Sequence, residues 1–225
     1  MNRIEDRLTS LRRAGRKGLI VYLGAGDPDL RRTCELAVAL ELAGVDCLEL
    51  GVPFSDPLAD GVVNQLAAQR GLASGTTPRG VIEAVSTIRR QSQLPVVLYI
   101  YFNLMHRYGL EQFIADAARA GVDGILALDL PPEEAGRYES LMRLAGLCTI
   151  YLVAPTTPDD RLAAIAERTR GFLYYVSREG VTGMQQAVAG DLAAQLRRIR
   201  ARTDLPVAVG FGISNAEQEI GRAHV

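Results

Sequence analysis

AGVDCLELGVP, residues 43–53, and AGVDGILALDLP, residues 120–131, are one phrase written twice. Each starts at a helix end with Ala-Gly, passes through Val-Asp into a short apolar run, and leaves through a proline-bearing loop. Repetition of a single supersecondary unit points to a (β/α) barrel rather than a doubly wound sheet. Similar runs lie on either side: LIVYL (19–23), VVLYIY (96–101), TIYLV (149–153), FLYYV (172–176) and VAVGF (207–211). They are rich in Val, Ile, Leu and Tyr and do not alternate with polar residues. Strands covered on both faces look like this, so the sheet is expected to be parallel. Between the runs, CELAVALELAG (34–44), GVIEAVSTIRRQ (80–91), LEQFIADAARAG (110–121) and DLAAQLRRIRAR (191–202) space their apolar residues three and four apart, as amphipathic helices do. Glycine closes several of them. Strand steps of about 25–50 residues suit repeated β/α units. The expected fold is an α/β TIM barrel, with seven strands counted where a closed barrel needs eight.

Composition narrows the function classes. The 225 residues are 48% apolar and carry a net charge of −1, so nothing marks a polyanion partner such as nucleic acid. The charged start, MNRIEDRLTSLRRAGRKG, is helix-like and lacks the apolar core of a signal peptide. The apolar runs fall well short of the ~18 residues that would read as a membrane span. Cys34, Cys47 and Cys148 sit in apolar surroundings without metal-ligand spacing and read as reduced core thiols of a cytoplasmic protein. With only His106 and His224 available, a zinc site is not expected.

Barrel chemistry is carried at the C-terminal ends of strands and in the loops that follow. Glu49 stands there, a carboxylate inside CLEL, with Leu48 and Leu50 directed to the helices. No basic residue occurs in the strands to pair with it, so burial should raise its pKa and let it exchange protons near neutral pH. Asp60 follows in a loop stiffened by Pro53 and Pro57, which aim it back over the barrel mouth. Taken by itself, Asp60 reads equally well as a turn residue before Gly61. SREGVTG (177–183) and GFGIS (210–214) are glycine clusters in adjacent late loops, suited to backbone binding of a phosphate. Tyr22, Tyr99, Tyr101, Tyr174 and Tyr175 lie near strand ends, where some pack and others line a pocket for an aromatic ligand. Together these features suggest a phosphorylated substrate and proton-transfer chemistry, as in a lyase or isomerase.

LELGVPFSDPLADG (48–61), the GDP of AGDP (25–28), DLPPEE (129–134), GFLYYVSREGVTG (171–183) and PVAVGFGIS (206–214), in this order, resemble the tryptophan synthase α subunit. The resemblance runs from the N-terminus to about Gln218. It implies a TIM barrel that cleaves indole-3-glycerol phosphate to indole and glyceraldehyde 3-phosphate. Glu49 would be the acid/base, Asp60 the carboxylate facing the indole N–H, and Tyr174 a catalytic tyrosine. Tyr22, Tyr99, Leu126, Leu128 and Leu152 would line the indole pocket, with Phe211 against the ring. Gly183 and Gly212 would bind phosphate, and Thr182 would dock on Asp60 in the closed site. The resemblance implies no cofactor or metal in this chain. It places pyridoxal phosphate in a partner β subunit, contacted through Pro53, Asp56, Asn103 and Pro131 in an α2β2 assembly. Gly24 and Val62 depart from the family's usual threonine and proline. A catalytically weak barrel that chiefly activates the β subunit is the alternative, and another phosphate-binding isomerase barrel a third.

One domain is expected over residues 1–218, because no linker or low-complexity stretch interrupts them. EIGRAHV (219–225) reads as a non-native tail, with strand eight, its phosphate loop and the last helices missing. Such an open barrel is expected to be poorly stable.

Overall fold

A computed structural model of the chain describes residues 2–176 and 189–210. They form two compact units, Met1–Thr149 and Ile150–Val225.

The first unit opens with α1 (Arg3–Arg13), whose Asn2 side chain caps the Ile4 amide. It continues with β1 (Ile20–Gly24), α2 (Leu30–Leu42), β2 (Cys47–Gly51), α3 (Val62–Ala73) and α4 (Pro78–Arg89). Then come β3 (Val96–Ile100), α5 (Phe102–Tyr108), α6 (Leu110–Ala120), β4 (Gly124–Ala127), a 3₁₀ turn at Pro132–Glu134 and α7 (Gly136–Leu144). At the boundary, β5 (Cys148–Ile150) completes a sheet ordered β1-β2-β3-β4-β5. The pairs from β1 to β4 are parallel, as continuous apolar runs require. Every residue of β2 and β4 is buried. Local signals set the helix ends: Asp29 accepts from the Arg32 amide, Thr77 from Gly80, and Gly121 ends α6 in the left-handed region at φ 91°.

The repeated Ala-Gly-Val-Asp phrase has a structural purpose. Asp46 and Asp123 are both 3% exposed, immediately before β2 and β4. Asp46 accepts from Arg7 Nε and from the Leu19 amide, each at 2.8 Å. Asp123 accepts from Arg3 Nη1 at 2.9 Å, Arg89 Nη2 at 2.6 Å and the Val96 amide at 2.9 Å. Arg3 and Arg7 lie one turn apart on α1, so one helix face engages the entry points of two strands. Ile4 and Leu11 of the same helix are buried.

The second unit holds β6 (Leu152–Val153), α8 (Asp159–Arg168), β7 (Leu173–Val176), α9 (Ala189–Arg200) and β8 (Val207–Gly210). Its three strands are parallel in the order β6-β7-β8. Asp159 joins its helices by accepting from Arg198 at 2.6 Å and Arg202 at 2.9 Å.

Parallel strands alternating with helices bear out the α/β, TIM-barrel class. All seven apolar runs contain strand; TIYLV is interrupted at Tyr151 and supplies both β5 and β6, which is why eight short strands occur among the described residues. Cys47 and Cys148 are buried thiols and Cys34 is half-buried, none in a disulfide. No helix among the described residues is long and apolar enough to cross a membrane.

Candidate active site

β2 runs through the apolar core of the first sheet, and Glu49 is its one charged residue. The residue is 3% exposed, and its Oε1 has no hydrogen-bond partner among the described residues. Water stabilises a carboxylate far better than a dry strand does, so burial pushes the Glu49 pKa up from 4.5 to about 8. A carboxyl so placed is neutral at pH 7 and still able to give up its proton.

Asp60 is reached differently. Pro57 accepts from the Asp60 amide at 3.0 Å, and Gln65 donates to the Asp60 carbonyl at 2.9 Å, turning the loop towards α3. Its carboxylate then accepts two phenols from the end of β3, Tyr99 Oη on Oδ1 at 3.0 Å and Tyr101 Oη on Oδ2 at 2.9 Å. Tyr101 also accepts the Ala59 amide at 2.9 Å, which fixes the loop's main chain as well as the acid. Burial and the bond to Asp60 push the Tyr101 phenol up, so it stays protonated and keeps donating.

Tyr22 connects the two acids. It stands in register with Glu49 across the β1–β2 ladder, and its ring meets Tyr99 edge-on with centroids 5.2 Å apart. A Cβ at Gly51 would fall 2.2 Å from the Tyr22 hydroxyl, so the glycine makes the ring's position possible. Burial, then Asp60, then Glu49 push the Tyr22 phenol up, which places this ring within the field of both carboxylates. Tyr22, Gly51, Pro57, Asp60, Tyr99 and Tyr101 line one cleft.

Leu126 on β4 is fully buried in register with Tyr99, and Leu128 just beyond is half-buried. In the second unit, Leu152 and Tyr174 are half-buried register partners. Tyr174 covers Gly210 much as Tyr22 covers Gly51, since a Cβ at Gly210 would fall 2.6 Å from the Tyr174 ring. Thr182, Gly183, Phe211 and Gly212 lie outside the described residues. Of the expected contact positions, Asp56 and Asn103 are exposed, Pro131 is half-buried and Pro53 is buried.

Sequence reasoning did not assign Tyr101 its part in holding Asp60. The signal was available: Tyr99 and Tyr101 are two apart in an extended run, so their side chains share a face.

The family model described as "Tryptophan synthase alpha chain" matches residues 8–224. The tryptophan synthase alpha chain of Citrifermentans bemidjiense is 50% identical over 225 residues, covering 99% of this chain and 84% of that protein. Among solved structures, tryptophan synthase subunit alpha of Legionella pneumophila str. Paris superposes with a TM-score of 0.87 at 39% identity, over 95% of this chain and 79% of that one. A chain from the structure of the tryptophan synthase a2b2 complex of Pyrococcus furiosus gives 0.86 at 40% identity, over 93% and 84%.

Proposed function

The chain belongs to the tryptophan synthase alpha chain family, and from that premise we propose the step it carries: cleavage of indole-3-glycerol phosphate to indole and glyceraldehyde 3-phosphate. At the level the family fixes, it is a lyase of tryptophan synthesis. The observation that carries the finer reading is Glu49, a buried acid held neutral in register with Tyr22, a residue that lines the same cleft as Asp60.

Starting protonated, Glu49 donates its proton to C3 of the indole ring. The resulting carboxylate takes the proton of the adjacent glycerol hydroxyl. As the C–C bond breaks, its electron pair returns to the ring, the hydroxyl carbon becomes an aldehyde, and Glu49 is again protonated. Asp60 accepts the ring N–H and offsets the positive charge that C3 protonation places on the ring. Leu126 and Leu128, in the same unit as the two acids, bound the ring. We infer that pyridoxal phosphate belongs to a β subunit and that the steps above use this chain's residues.

We also infer assembly with that β subunit. The Pyrococcus furiosus relative is described in an a2b2 complex. Leu58 is 93% exposed beside the Asp60 loop, and Val62, Val63 and Leu66 at the start of α3 are exposed as well, an apolar surface suited to a partner.

The test is indole release from indole-3-glycerol phosphate as a function of pH. Because the protonated form of Glu49 acts first, kcat/KM is expected to fall as pH rises through about 8. A rate that climbs through pH 8 would assign the first step to a carboxylate and overturn this order of events.

A further inference from the structure

We propose that Tyr99 is the positioning residue of Asp60: its hydroxyl fixes one carboxylate oxygen before a ligand arrives. The inference rests on the reading of Asp60 as the acid that meets the indole nitrogen. Asp60 is carried on a solvent-facing loop, where holding a side chain in one rotamer costs conformational entropy. The end of β3 supplies the restraint. Tyr101 donates to Oδ2 and at the same time accepts the Ala59 amide, so it orders the main chain. Tyr99 donates to Oδ1 at 3.0 Å and completes a two-point hold on the carboxylate. With both oxygens held, rotation of the carboxylate is blocked; with one, it is free.

Tyr99 is itself oriented by a chain of contacts. Its ring stands 78° to that of Tyr22, and Tyr22 occupies the space that a Cβ at Gly51 would fill. Gly51 is also the register partner of Tyr99 on β2. A strand-end glycine thus sets one ring, that ring sets a second, and the second aims the acid.

Tyr99→Phe keeps the edge-on ring contact and removes only the hydroxyl. Its kcat/KM for indole release is expected to fall roughly 10- to 100-fold, the worth of one hydrogen bond to a charged group. In an Asp60→Ala background the same substitution should cost nothing further. Equal losses in both backgrounds, or an unchanged kcat/KM in the single variant, would reduce Tyr99 to a packing residue and overturn the proposal. An activity-independent arm uses the tyrosine Fermi doublet in Raman difference spectra of the unliganded full chain. Tyr99→Phe should remove the signature of a strongly donating phenol from the parent, and remove none from Asp60→Ala. Identical difference spectra in the two backgrounds would also overturn it. If the parent chain releases no indole, the lyase reading fails, and the Raman comparison still decides whether Tyr99 holds Asp60.

Discussion

Glu49→Gln is expected to lose indole release by roughly 10²- to 10⁴-fold, the range that a positioned general acid/base supplies, and to become more stable than its parent as pH rises. Both effects come from the same burial. The folded chain holds Glu49 with a pKa of about 8 against 4.5 for a free side chain, so between these values it keeps a proton that the unfolded chain releases. Below pH 4.5 both states are protonated and the group is neutral in the balance. From there upward the parent loses about 1.4 kcal/mol of stability per pH unit. The loss reaches about 3 kcal/mol at pH 7 and levels off above pH 8. Glutamine does not titrate, so the variant escapes this loss. Any constant cost of burying an amide cancels when the two chains are compared across pH. Urea titrations at pH 5, 7 and 8.5 should therefore show the stability difference widening in the variant's favour. Parallel pH profiles would mean that Glu49 ionises normally in the folded chain. An unchanged lyase rate would favour a barrel that chiefly activates its partner.

Asp123→Ala is expected to destabilise the chain by about 3–5 kcal/mol, the cost of stranding the partner of a buried ion pair. Asp123 is 3% exposed and Arg89, which it pairs at 2.6 Å, is 10% exposed in its side chain. Removal also frees the Val96 amide and the Arg3 guanidinium that ties α1 to the sheet. A domain of ordinary stability has only about 5–15 kcal/mol in total, so the variant should unfold at much lower denaturant. Glu35→Ala is the control. Its pairs with Arg31 and Arg32 are solvent-exposed and should be worth well under about 1 kcal/mol. Equal midpoints for the two variants would show that the repeated aspartates do not carry the strand entries.

The strands were legible because a parallel sheet buries both faces, leaving apolar runs such as VVLYI and GILA unbroken by polar residues. Glu49 was legible for the same reason, as the one charge in such a run. α3 was not. Gly71 is its only buried residue, and its exposed Val62, Val63 and Leu66 erase the apolar stripe by which a helix is recognised. That glycine permits close packing, since a Cβ there would fall 2.7 Å from the Ala25 carbonyl. α5 spans seven residues, too few for a period to emerge. The Ala-Gly-Val-Asp repeat was visible, but its purpose was not, because Arg3 lies 120 positions from Asp123 and pairing at that distance leaves no local pattern. The hold on Asp60 by Tyr99 and Tyr101 spans 39 and 41 positions and was hidden for the same reason.

The most direct measurement is the titration of a single carboxyl. With carboxyl-¹³C glutamate incorporated, the resonance that disappears in Glu49→Gln should move with a midpoint near pH 8 in the folded chain. A midpoint near 4.5 would mean an ionised, solvated Glu49, and no neutral acid would then await the indole ring.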